Sequence, residues 1–148
     1  MPYDVLDVAE YIVDHQTRKG NPFTPLKLQK MLYFLWEYYY SQTTKHLFEN
    51  RIEAWPYGPV CPDVYNRYCM YAGDPISETS SSNFSNIDKK TIRIINTFLS
   101  KYGLMNAFYL VAFSHQEGSP WYQIYHTTNR GQIPFDLMEK DAMEMEWA

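Results

Sequence analysis

The run Thr24-Pro25-Leu26-Lys27-Leu28-Gln29-Lys30-Met31-Leu32-Tyr33-Phe34-Leu35-Trp36-Glu37-Tyr38-Tyr39-Tyr40 decides the fold. It opens with a threonine cap and a proline at the first helical position, where the missing N–H costs nothing. Leu28, Met31, Leu32, Leu35, Trp36 and Tyr39 then recur at helical spacing. Tyr33, Phe34, Tyr38 and Tyr40 put aromatic rings on the remaining faces. A helix apolar on so many sides needs neighbours on all of them, so it is expected to be the central helix.

The segments on either side supply those neighbours. Upstream, Val5, Val8, Ala9, Ile12 and Val13 form one buried stripe, capped by Asp4 and followed by Gly20. Downstream, Pro56, Gly58 and Pro59 break any regular helix, giving a short extended piece around Arg51–Trp55 and then a fixed turn. A helix is expected over Asp63–Ala72, ended by Gly73 and Asp74–Pro75. The low-complexity stretch Ser77–Asn86 reads as a mobile loop. Asp88 caps a helix through Ile92, Ile95, Leu99 and Tyr102, and Asn106 caps one through Leu110, Val111 and Ser114. Ser119–Pro120 repeats the cap-then-proline signal before Trp121, Ile124 and Tyr125. After a turn at Asn129–Arg130–Gly131, Pro134 or Asp136 opens an acidic last helix through Leu137 and Met143. The expected fold is mainly α: a compact single-domain bundle over residues 1–148, of about five to seven helices with room for one short strand pair.

Composition agrees. A chain of 148 residues fits one domain. Such a domain buries roughly 70% of its unfolded surface, so no disulfide, metal or cofactor is expected. Aromatics reach 18%, with 14 Tyr and 4 Trp. Either the tyrosines line a core with a wet rim, or the excess reflects an interface, where Tyr and Trp are enriched. The net charge is −4, and basic residues cluster no further than the pairs Arg18–Lys19 and Lys89–Lys90. Direct nucleic-acid binding is therefore not expected. An acidic amphipathic N-terminus and no apolar run of about 18 residues argue against export or a membrane, and the cytoplasm is the expected location. Cys61 and Cys69 are too few for a secreted disulfide framework.

The search for chemistry finds little. His15, His46, His115 and His126 lack ligand spacing, so a zinc set of two of them with Cys61 and Cys69 is not expected. The glycines are isolated, and no nucleophile motif is present. His115 and Glu117 are two apart, which points them to different faces of a helix. No catalysis is expected.

Three blocks carry a family resemblance. Leu26-Lys27-Leu28-Gln29-Lys30-Met31-Leu32-Tyr33-Phe34 resembles the LKLQKLLYF signature of the SocA-like, or Panacea, antitoxin domain. Glu53-Ala54-Trp55-Pro56-Tyr57-Gly58-Pro59-Val60, with Pro62 and Tyr65, is similar to that family's EAWxxGPVxPxVY. Ser114-His115-Gln116-Glu117 with Pro120-Trp121 resembles its (T/S)HxE…PW, here with one extra residue before the proline and with Tyr122-Gln123 in place of an alanine–arginine step. The resemblance covers Asp4 to Leu137. It implies an antitoxin from a bacterium, prophage or phage that neutralises the toxin of a neighbouring gene by direct contact, with two alternatives: an adaptor that delivers a toxin or other client to a ClpXP-type protease, or a phage-encoded host-interaction protein. The chain has no length for the DNA-binding module some relatives carry, and homo-oligomer formation is left open.

Read residue by residue, Leu28, Gln29, Lys30, Leu32, Tyr33 and Phe34 are the family-motif core, with Lys27 and Lys30 expected on a solvated edge, the alternatives being pairing with acids or contact with a partner. The turn Trp55-Pro56-Tyr57-Gly58-Pro59-Val60 has a backbone fixed by proline and glycine, which lowers the ordering cost of binding. Trp55, Tyr57, Gly58, Pro59, Val60, His115 and Trp121 are the candidate partner-binding residues, each with burial as the alternative. The acidic tail from Asp136 to Glu146 either steers a basic toxin or is simply solvated.

Overall fold

The computed structural model describes residues 1–128 and 130–147. Among them are seven α-helices and one two-stranded sheet, a mainly α fold. Helix α1 (Val5–Arg18) is capped by the Asp4 carboxylate, which accepts from Leu6 N at 2.9 Å. Helix α2 (Pro25–Thr43) is capped by the Thr24 hydroxyl, which accepts from Lys27 N at 3.2 Å. Every residue from Leu28 to Tyr39 is buried, so α2 is the central helix that its all-round apolar pattern predicts. It ends where Thr44 turns left-handed with φ 56°.

Strand β1 (Glu53–Trp55) pairs antiparallel with β2 (Gly58–Val60), joined by Pro56-Tyr57, with Glu53 opposite Val60 and Trp55 opposite Gly58. On the other side of β1, Ala54 N donates to Gly131 O at 2.9 Å and Ile133 N to Ile52 O at 2.8 Å. Pro59, which has no N–H, is therefore confined to the edge strand. The expected turn at Asn129–Arg130–Gly131 lies partly outside the described residues, since Asn129 is not among them.

The expected single helix over Asp63–Ala72 is instead α3 (Pro62–Tyr68) followed by a 3-10 turn, Cys69–Tyr71. The tighter turn brings the Tyr71 hydroxyl onto Glu78, which also receives Arg67 Nη2 at 2.7 Å. The stretch expected to be a mobile loop is irregular but tethered. Ile76, Phe84 and Ile87 are buried in the core, and Ser80 N donates to Asp14 Oδ1 at 2.8 Å.

Helix α4 (Lys89–Tyr102), α5 (Ala107–Ser114) and α6 (Pro120–Tyr125) begin at the caps Asp88, Asn106 and Ser119, each side chain accepting a backbone N–H. Helix α7 (Phe135–Glu144) begins after Pro134. Around α2 pack α3, α4, α5, α7 and β2, so one core runs through the described chain. Among the described residues no helix is long and apolar enough to cross a membrane.

Candidate partner-binding site

Two adjacent residues of α2 hold β2 in place. The Gln29 amide brackets Cys61: Nε2 donates to Cys61 O at 3.1 Å, and Cys61 N donates to Oε1 at 2.8 Å. The side chain thus stands in for a neighbouring strand, satisfying backbone groups that are buried. Lys30 is 0% exposed, and its Nζ donates to Pro59 O at 2.7 Å. Burial pushes this ammonium down to about 7. The solvated edge expected for Lys30 is therefore wrong, and Gly58 supplies the physical reason. A Cβ on Gly58 would sit 2.7 Å from Lys30 Cε and 2.8 Å from Ser114 Oγ. The space a side chain would fill is taken by the lysine. Lys27 is also drawn in: its Nζ donates to Gly103 O at 2.6 Å, at the C-terminus of α4, and lies 4.7 Å over the Phe23 ring.

A second clamp acts on β1. Trp121 Nε1 donates to Trp55 O at 2.7 Å. The Trp121 indole lies between His115, at 3.7 Å and 13°, and Tyr125, at 4.5 Å and 14°. These three rings form a stacked column at the junction of α5 and α6. Ser119 ties that junction, accepting from Tyr122 N and donating to Ser114 O at 2.8 Å. Burial, helped by the nearby Lys30 charge, holds the His115 imidazole below its ordinary range. Its Nε2 is enclosed and unpartnered, while Glu117 is exposed.

On this frame sits the displayed surface. Tyr57 is 67% exposed and Tyr65 45% exposed. The half-buried Trp55 meets Tyr65 at 5.1 Å, carries the Arg130 guanidinium 4.2 Å over its ring, and donates Nε1 to Glu53 Oε1 at 2.8 Å. Arg51 also binds Glu53. Burial works against the Glu53 charge, but these donors and the nearby guanidinium groups win and hold the carboxyl below its usual range. Beside the turn lies a groove of ≈ 360 Å³ with Leu28, Val60 and Val64 in its lining and Tyr57, Tyr65 and Arg130 along it.

Of the seven candidate residues, then, Tyr57 and one face of Trp55 meet solvent. Gly58, Pro59, Val60 and Trp121 are buried, and His115 is half-buried. All six family-motif residues, Leu28, Gln29, Lys30, Leu32, Tyr33 and Phe34, are buried. Sequence reasoning missed Glu53 and Arg130 as partners of Trp55. Glu53 sits at the same-face spacing of a strand, two residues away. Arg130 lies far along the chain, and nothing in its local pattern announces it.

A second polar cluster joins α2 to α7. Both Glu37 oxygens are buried without a conventional donor, facing Asp141 and Tyr33. Burial first, then the Asp141 charge, pushes the Glu37 carboxyl well above its ordinary value. Asp141 is raised by burial, with Glu144 adding to it. Both shifts run in the direction expected of facing buried carboxyls, since two bare charges at this depth would repel without compensation. Among the described residues no group of three or more His, Cys, Asp or Glu could hold a metal ion; Cys61 is buried and Cys69 exposed.

A buried polar frame thus presents an aromatic turn. A family profile described as antitoxin SocA-like, Panacea domain, matches residues 28–122, and the chain belongs to that family. The matched span runs from the buried half of α2 to the residue after Trp121, enclosing both clamps. The chain is also 32% identical over 130 residues to the antitoxin SocA of Caulobacter vibrioides (strain NA1000 / CB15N), covering 80% of this chain and 68% of that protein. No solved structure matches.

Proposed function

We propose that this protein is an antitoxin that neutralises a toxin by direct contact, with the Trp55–Tyr57 turn and its groove as the contact surface. Family membership supports the antitoxin role. One observation carries the choice of surface: Tyr57 stands 67% exposed on a turn whose neighbouring backbone is clamped by Lys30 and Trp121. An exposed tyrosine on a pre-ordered turn is suited to be an interface anchor, because little freedom is lost when it is covered. The protein acts by binding, without chemistry of its own. Lys30 is wholly buried and His115 Nε2 is enclosed, so neither of these two nitrogens reaches a substrate.

The test is co-expression with the product of the neighbouring gene, reading growth and then isolating the complex. Tyr57→Ala is expected to weaken the complex by ~10-fold or more while leaving the thermal transition unchanged, since the ring is outside the core. Full affinity in a folded Tyr57→Ala protein removes the turn from the contact. A toxin that stays harmless without any isolable complex, but only in a host with its Clp protease, replaces direct neutralisation with delivery for degradation.

A further inference from the structure

The contact surface at the turn makes no use of the Glu37–Asp141 pair. Glu37 is 0% exposed, and neither of its oxygens has a hydrogen-bond donor. Its carboxyl faces Asp141 and Tyr33, and those two side chains line a pocket of ≈ 270 Å³ where α2, α5 and the end of α7 meet. Phe34, Phe113, Glu144 and Glu146 line it too, and among the described residues no Lys, Arg or His does.

A buried polar group ordinarily has a partner, and a buried carboxylate ordinarily meets a cation. Here four acidic side chains converge, with Glu37 at the back, Asp141 half-buried on the wall, and Glu144 and Glu146 exposed. Among the described residues none of the four is in an ion pair. Lys140 is exposed and borders a separate hollow with Asp141 and Glu144, outside this pocket.

The walls select among cations. No group of three or more His, Cys, Asp or Glu among the described residues could hold a metal ion. An ammonium is a compact, strongly hydrated charge, whereas a guanidinium is flat, weakly hydrated and offers carboxylates a fork of donors. Aromatic rings attract such a cation, and three of them stand together here: Tyr33 meets Phe34 at 5.0 Å, and Phe34 meets Phe113 at 5.5 Å. Size agrees. A cavity of about 150 Å³ accepts a benzene ring, so this pocket has room for a guanidinium and part of its stem.

We infer that this pocket is a guanidinium site, with Asp141 and Glu144 receiving the donor fork, the aromatic rings flanking it and Glu37 adding charge from behind. It shares no lining residue with the groove at the Trp55–Tyr57 turn, so its failure would leave that contact surface untouched. Proton release follows from the same geometry. Glu37 and Asp141 are both raised by burial, and a cation favours their charged forms. Below the folded values binding must therefore expel a proton, and affinity rises with pH. The other titratable groups around the pair are Glu144, Glu146 and Lys140 on the α7 side and Tyr33 on α2, whose hydroxyl burial keeps protonated. Helix α5 and its junction with α6 bring none to the lining.

Calorimetric titration of the full chain with n-butylguanidinium, n-butylammonium and Nα-acetyl-arginine N-methylamide tests this. The guanidinium is expected to bind about 10-fold or more tighter than the ammonium. Asp141→Asn, with an unchanged circular dichroism spectrum, is expected to weaken it by about 10-fold or more. In the wild type its affinity is expected to rise with pH by up to about tenfold per unit, and Glu37→Gln to flatten that rise. Binding of the arginine amide as well assigns the site to an arginine presented by another chain, and binding of n-butylguanidinium alone to a free guanidine. No binding of n-butylguanidinium overturns the inference. So does equal affinity for the ammonium, an undiminished affinity in folded Asp141→Asn, or a wild-type affinity flat with pH.

Discussion

At Gly58 the clamped frame and the displayed turn meet, and the backbone there has φ 108°. An alanine at this position would be strained in the left-handed region and would press on Lys30 and Ser114 at once. Gly58→Ala is expected to lower unfolding stability by about 2–4 kcal/mol, measured by urea denaturation. A loss under about 1 kcal/mol would mean that Lys30 can move aside cheaply, and that the frame is looser than its geometry implies. This residue also shows where sequence reading stops. Helical spacing puts Lys27 and Lys30 on one edge of α2, and an edge lysine is ordinarily solvated. What buries Lys30 is the missing side chain of a residue far along the chain, and no local pattern holds that information. Tyr57 is the contrary case, because proline before it and glycine after it already define an exposed turn.

Elements were read from the sequence where caps and breakers speak clearly. Thr24–Pro25, Asp88, Asn106 and Ser119–Pro120 mark four helix starts, and each cap hydrogen bond is present. The end of α3 departs from what helical spacing predicts, because its last turn is tightened by contacts of Tyr71 and Arg67 with Glu78, beyond any helical window. Between α2 and α7 the sequence does carry a signal: Glu37 interrupts an otherwise apolar run, and a charge there must find a partner. That partner is Asp141, in a helix whose acidic composition reads as mere solvation. Glu37 has a folded value raised above its ordinary 4.5. Its contribution is therefore fully present below pH 4.5 and is lost as pH rises through the folded value. Glu37→Gln, which keeps a neutral side chain in place, is expected to remove this fall, worth up to about 1.4 kcal/mol per pH unit. Denaturation of both proteins across a pH series checks it. Parallel curves above pH 4.5 would mean that Glu37 is ionised in the folded state.

For the molecule as a whole, the buried lysine acts in the opposite sense. Lys30 titrates at about 7 when folded against 10.5 when free. Below pH 7 both states carry the charge, and the folded state bears the full cost of burying it. Between pH 7 and 10.5 the unfolded chain holds a proton that the folded one has released, so stability rises with pH. Lys30→Met is expected to abolish this rise, again up to about 1.4 kcal/mol per pH unit, read as the difference between the two global unfolding curves. A difference independent of pH would place the Lys30 pKa at its ordinary value. Where the windows of Lys30 and Glu37 overlap, the two slopes oppose, and the wild-type profile is flatter than that of either variant.

The inward direction of the family-motif side chains has a practical reach. Gln29, Lys30 and Trp121 spend their polar groups on backbone atoms of Cys61, Pro59 and Trp55, and none of those bonds involves a side chain exposed on the turn. Tyr57, Tyr65 and Arg130 are exposed and carry no such duty, whereas Pro56 shapes the turn itself. A library randomised at those three positions would alter the proposed contact face while leaving the scaffold's own wiring intact. Retargeting such a surface to a new client is thus a problem of surface chemistry rather than of refolding.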